Sequence, residues 1–114
     1  MAGVSAQYLD FVKEQLAPIR GVQSGRFFGG VGLSMDGVQF AMLVDNTLYL
    51  VVDADTRPNY ERMGSRCFSY QTKKRRVDVK KYYAVPGEVL EDQDRLVMLA
   101  REAIAVARQA KRGA

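Results

Sequence analysis

Residues 26–43 read RFFGGVGLSMDGVQFAML, and what the glycines do in this stretch decides the fold. Gly29, Gly30 and Gly32 are clustered as they are in many phosphate-binding loops. Such loops use glycine so that backbone N–H groups, backed by a helix N-terminus, can approach an anion. Here the glycines run on into alternating residues and a turn. No Gly-Lys-Ser/Thr follows, and Met35 stands where a dinucleotide fingerprint needs its third glycine. The glycines therefore belong to a strand, where a missing side chain permits a bulge or the close approach of another element.

Working outward, the hydrophobic period is two from Gly30 onward. GVGLSM and VQFAMLV flank Asp36-Gly37, a two-residue hairpin signal, because a type I′ turn needs positive φ at both central positions. Asp45-Asn46 is a second such turn, and TLYLVVD follows as a third strand. Leu48, Leu50 and Val52 alternate there with Tyr49 and Val51, so both faces are apolar and the strand is expected to lie centrally or between covering layers. Before the meander, Tyr8, Leu9, Val12 and Leu16 recur at helical spacing over residues 5–16, with Ser5 as N-cap and Pro18 as the stop. IRGVQSGRFF leads from that helix into extended structure.

Beyond the meander, ADTRPNYERMGS predicts a short helix with Pro58 in its first turn and Gly64 at its end. CFSYQ and RVDVKKYYAV predict another hairpin, broken by Pro86-Gly87. A last helix is expected from about Asp92 to Arg112, with Leu96, Leu99, Ala100, Ala103, Ile104 and Ala107 as its apolar stripe. The order is α-β-β-β-α-β-β-α. This predicts an α+β fold of two layers, an antiparallel sheet of about five strands covered by helices.

The 114 residues suit one domain, 1–114, with 47% hydrophobic and 26% charged residues. The apolar runs FAMLV and LYLVV fall far short of the ~20 residues needed to span a bilayer. MAGVSAQYLDF has no basic region followed by an apolar stretch, so no secretory signal is read there. With a single cysteine, Cys67, a cytoplasmic location is the expectation. The chain has no histidine, which removes the commonest general base and metal ligand. Neither a zinc site nor any cofactor is expected, and the protein is read as non-enzymatic.

The run FFGGVGLSMDGVQFAMLVDNTLYLVVD resembles the N-terminal domain of the TfoX (Sxy) family. That domain has a Met/Phe-Phe-Gly-Gly-x-Gly start, a turn glycine, a following Phe and a Leu-Tyr-Leu strand. Gly64 in ERMGS, Phe68 and Tyr70 in CFSYQ, and YYAVPGEVLED add to the match, which extends from about the first helix to residue 107. The resemblance implies an antiparallel sheet covered by helices, and bacterial regulators of natural competence that act with the cyclic-AMP receptor protein at promoters. Those regulators usually carry a second, helix-hairpin-helix domain; this chain, ending at Ala114, is read as a stand-alone form. No catalytic residues come with the resemblance.

The net charge of +4 is concentrated. QTKKRRVDVKK holds Lys73, Lys74, Arg75, Arg76, Lys80 and Lys81 against Asp78 alone. Strict alternation puts Arg76, Asp78, Lys80 and Tyr82 on one strand face and Val77, Val79, Lys81 and Tyr83 on the other. A basic ribbon beside a tyrosine can contact phosphates and stack on a base, so Lys73, Lys74, Arg75, Arg76, Lys80, Lys81 and Tyr82 are the candidate nucleic-acid-binding residues. The simpler reading of the same hairpin is a solvated edge whose lysines discourage edge-to-edge pairing. Tyr82 and Tyr83 are expected to split between surface and core. Asp45, Asp53 and Asp55 read as strand-end and capping residues, and Cys67 as a small buried one. The last helix, with Arg95, Arg101, Arg108 and Arg112 outward, reads as a core cover. The expected partner is a protein, either transcription machinery or a second copy in a homodimer, with DNA contact weak and no membrane contact.

Overall fold

The computed structural model describes residues 3–27 and 29–113, so Phe28 of the opening motif lies outside the described residues. Helix α1, Ala6–Gln15, begins where the Ser5 hydroxyl accepts a hydrogen bond from the Tyr8 amide at 3.1 Å. The Ser5 amide in turn donates to Asn46 Oδ1 at 2.9 Å, which ties the start of the helix to a distant turn.

Six strands follow: β1 (Val22–Phe27), β2 (Gly30–Met35), β3 (Val38–Val44), β4 (Thr47–Val51), β5 (Cys67–Gln71) and β6 (Arg76–Ala84). They form one antiparallel sheet in the order β1-β2-β3-β4-β6-β5. The sequence signal counted about five, and β1 is the addition. Its four inner residues are exposed and polar or glycine, so it carries no alternation; an edge strand needs only backbone pairing to form. Asp36 and Gly37, with φ of 52° and 81°, close the β2–β3 turn. Asp45 and Asn46, at 50° and 52°, close β3–β4, and both fit the type I′ form.

Between β4 and β5 lies α2 (Arg57–Arg62), with a proline in its first turn and Gly64 (φ 78°) beyond its end. A single turn, α3 (Gly87–Leu90), precedes α4 (Gln93–Arg112), whose N-cap Asp92 accepts from the Arg95 amide at 3.3 Å. Helix α4 crosses β3 and β4, α1 and α3 pack beside it, and α2 meets β6. All of this covers one face of the sheet.

Register sorts the residues between the two faces. The row Leu33, Ala41, Leu50 and Tyr83 runs across β2, β3, β4 and β6 on the helix side, and all four are buried. Val12, Leu96, Ala100 and Ala103 fill the space above that row, as the helical periodicity predicts. The adjacent row, Gly32, Met42, Tyr49 and Ala84, points to the other side. A bulge at Phe40 shifts the β2–β3 pairing from Leu33–Ala41 to Ser34–Gln39. It leaves Phe40 and Ala41 both fully buried and aligns Gln39 with the row facing away from the helices.

Glycine allows close contact at two places in β2. A Cβ built on Gly30 would lie 2.2 Å from the Leu43 carbonyl oxygen of β3, a backbone atom that cannot move aside cheaply. At Gly32 the Cβ would meet Gln39 Oε1 at 2.5 Å, the end of a flexible side chain. Gly30 and Gly32 are packing residues in a sheet, whereas Gly29 (φ 80°) lies in the turn before β2 rather than in the strand expected for it.

Candidate binding site

The face opposite the helices is concave. Phe27 from one edge strand and Phe68 and Tyr70 from the other line the same cleft, so the sheet curls until its two edges approach one another. Met42 and Val44 of β3 form the floor, and Val79 and Tyr82 of β6 complete the wall. The cleft encloses about 490 Å³, within the range of ligand and side-chain pockets. Aromatic edges stiffen it: Tyr49 and Phe68 meet edge to face with centroids 5.2 Å apart, and Phe68 and Tyr70 are 6.1 Å apart.

A second irregularity builds this wall. On β5 the pairing moves one residue, from Cys67 to Phe68, while on β6 it moves from Tyr83 to Val79. Lys80, Lys81 and Tyr82 face no β5 partner, and β4 takes up the slack as the Val52 amide donates to the Lys81 carbonyl at 2.8 Å. The extra residues break the strict alternation expected for this strand. Val79 and Tyr82 consequently share the cleft, and the predicted face that grouped Tyr82 with Arg76 and Asp78 does not exist. Tyr82 and Tyr83 are also not divided between surface and core, because both are buried, on opposite sides of the sheet. Tyr83 donates to Glu61 Oε2 of α2 at 3.1 Å, while the Tyr82 hydroxyl accepts from Gln39 Nε2 at 3.1 Å. Burial raises the pKa of the Tyr82 phenol, and the Gln39 contact offsets this in part.

Of the candidate basic residues, Lys73, Lys74, Arg75, Arg76, Lys80 and Lys81 are all exposed. The tip is ordered by Thr72, whose hydroxyl donates to the Arg75 carbonyl at 2.8 Å and accepts from the Lys74 and Arg75 amides at 3.3 and 3.1 Å. Arg76 pairs with Asp78 at 3.2 Å. Lys81 Nζ lies 5.9 Å from the Tyr82 ring centroid. The segment Arg76–Val79 pairs with β5 alone and forms a two-stranded ribbon whose basic residues border one free edge. Tyr82 meets Lys81 but is itself buried, so it is not the exposed aromatic beside the tip. Tyr70 is, 49% exposed at the mouth of the cleft directly opposite Val77. Sequence reasoning passed over it as a family match; its place one strand across from the basic run was the available signal.

The family model of the TfoX N-terminal domain matches residues 14–107, which takes in every strand, the cleft and the ribbon. The chain belongs to the TfoX N-terminal domain family. No curated protein matches it.

Elsewhere on this TfoX N-terminal domain, polar groups serve the fold. Asp53 Oδ1 accepts from the Asp55 and Thr56 amides at 3.0 and 2.9 Å, and these bonds hold its carboxyl below the usual range. That is the strand-end role expected of it. Cys67 is partly buried. Arg108 binds Asp36 at 2.8 Å and Arg101 donates to the Pro18 carbonyl at 3.4 Å, so the basic side of α4 fastens it to neighbouring turns. Glu102 is different: its Oε1 is buried with no hydrogen-bond partner, and burial, with Asp53 nearby, raises its pKa. Among the described residues no helix is long and apolar enough to cross a membrane.

Proposed function

We propose that this TfoX N-terminal domain is a non-enzymatic regulatory domain that works by binding, in bacterial transcription-related control. The observation that carries this reading is the concave face, apolar and lined by strand residues among those described, while the helices pack on the opposite face. Contiguous apolar surface left open beside charged residues marks an interaction site. Catalysis fits the cleft poorly. Its polar groups are two phenols; one is already engaged by Gln39 and its pKa is moved further from neutrality. The cytoplasm is the compartment in which such a domain would meet its partner.

The contact surface is the cleft, and the basic ribbon is its charged flank. Weak, sequence-tolerant contact with nucleic acid through Lys73, Lys74 and Arg75 belongs to the same reading, because these side chains are exposed at an ordered tip. Affinity capture from the native host tests it, with wild-type protein and a Tyr70→Asp/Val79→Asp variant, each with and without nuclease. A protein retained by the wild type, lost by the variant and indifferent to nuclease is the expected result. Recovery that depends on nucleic acid alone would move the function to the tip.

A further inference from the structure

We infer that the cleft receives an acidic segment of a partner protein that carries large apolar side chains. This rests on the binding reading above and names the chemistry of the partner. The apolar side chains would enter between Phe27 and the Phe68–Tyr70 pair, and the carboxylates would meet Lys73, Lys74 and Arg75.

Three observations select this occupant. The walls offer aliphatic and aromatic surface, and the Tyr82 hydroxyl is already bonded to Gln39. A nucleobase in the cleft would lose water from its polar edges without replacement, at about 1–3 kcal/mol per unsatisfied group. Leucine or phenylalanine side chains lose nothing of that kind. The ribbon is the second observation. Among the described residues its one ion pair is Arg76 with Asp78, and Lys73, Lys74 and Arg75, at the tip beyond Tyr70, form none. The backbones of Lys74 and Arg75 are already held by Thr72, which reduces what binding must order. The third is Tyr70, which is half exposed between the cleft and the basic tip. An aromatic residue in that position contributes apolar area and a polar end together, as anchors at interfaces do.

The same charge argues against a second copy. Symmetric contact brings the same patch from both partners together, and each would present its own basic ribbon. Duplex DNA would satisfy the tip and leave the cleft empty.

A displayed library of random peptides of about 15 residues, long enough for an amphipathic helix or strand, tests the chemistry directly. It is selected on the wild-type protein and counter-selected on Val79→Asp, with Tyr70→Ser as a milder second variant. Circular dichroism and melting confirm that both variants fold. Selected sequences are expected to combine Glu or Asp with Leu, Ile, Phe or Met, and to be depleted in Lys and Arg. A labelled winner should bind at least about tenfold more weakly to Tyr70→Ser. The Lys73→Gln/Lys74→Gln/Arg75→Gln variant should weaken it similarly and flatten its salt dependence. Neutral or basic winners, or winners indifferent to Val79 and Tyr70, overturn the inference. So would Tyr70-dependent binding of a single-stranded oligonucleotide, or Tyr70-dependent dimerisation in sedimentation. If host capture through Tyr70 and Val79 succeeds while no acidic peptide is selected, the binding reading stands and this identification of the partner fails.

Discussion

The Gln39 side chain occupies the space that a side chain at Gly32 would fill, with Oε1 2.5 Å from where a Cβ would sit. From there its Nε2 reaches the Tyr82 hydroxyl. Gly32 thus makes room for a polar link running from β3 to β6 across the floor of the cleft. Gly30, two residues earlier, faces the Leu43 carbonyl instead.

The two glycines should therefore respond differently to alanine. Gly30→Ala forces a Cβ against backbone and should cost about 1–3 kcal/mol, the range of overpacked sites. Gly32→Ala displaces only the end of Gln39 and should cost less. Urea denaturation of both variants checks this. Equal losses would mean that the β2–β3 contact at Gly30 relaxes as readily as a side chain.

The Gln39–Tyr82 bond should show up as a coupling. Gln39→Ala and Tyr82→Phe each remove one partner, and a hydrogen bond of this kind contributes about 0.5–1.5 kcal/mol net. A double-mutant cycle measured by denaturation should find the two losses sub-additive by about that amount. Strict additivity would show that the two groups do not interact in solution.

At Gly37 the open surroundings isolate a conformational effect. Its φ of 81° is left-handed, and a Cβ there meets nothing within 4 Å. Gly37→Ala should cost about 1–2 kcal/mol from backbone strain alone, with no change in packing. Thermal melting is the measurement, and an unchanged midpoint would contradict the type I′ assignment.

Glu102 predicts an unusual pH response. Its carboxyl is raised in the folded protein by burial, with Asp53 adding to the effect. Between the unfolded and folded pKa values the native state binds the extra proton, so stability from this group falls as pH rises through that window. Glu102→Gln removes the penalty and should raise the melting temperature near neutral pH. The gap should close as pH drops below the ordinary carboxylate range. A gap that is constant or widens towards acid would reverse the assignment.

The fold was legible wherever local chemistry decides structure. Asp36-Gly37 and Asp45-Asn46 announce their turns because few other residues tolerate positive φ. Ser5 caps the helix it was expected to cap, and α4 starts at Asp92, where the last helix was expected to begin. The α4 stripe and the central position of β4 follow from the spacing of apolar residues. The cleft was not legible, for two reasons. Its lining comes from strands at opposite ends of the sheet order, which are brought together by curvature that no local pattern encodes. In addition, period-two reasoning assumes an unbroken ladder. Three consecutive residues of β6 lie outside the β5 pairing, and nothing in VDVKKYYA marks where the slip occurs.

The divided pairing of β6 separates tolerance to change along a single strand. From Tyr82 to Ala84 the strand pairs with β4, Tyr83 also meets Cys67 of β5, and the strand carries Tyr83 into the packed layer under the helices. From Arg76 to Val79 it answers only to β5. Adding or removing whole residue pairs at the tip, or exchanging its charges, leaves Leu33, Ala41, Leu50 and Tyr83 in place. One continuous strand is therefore locked into the core at one end and free to change in length and charge at the other.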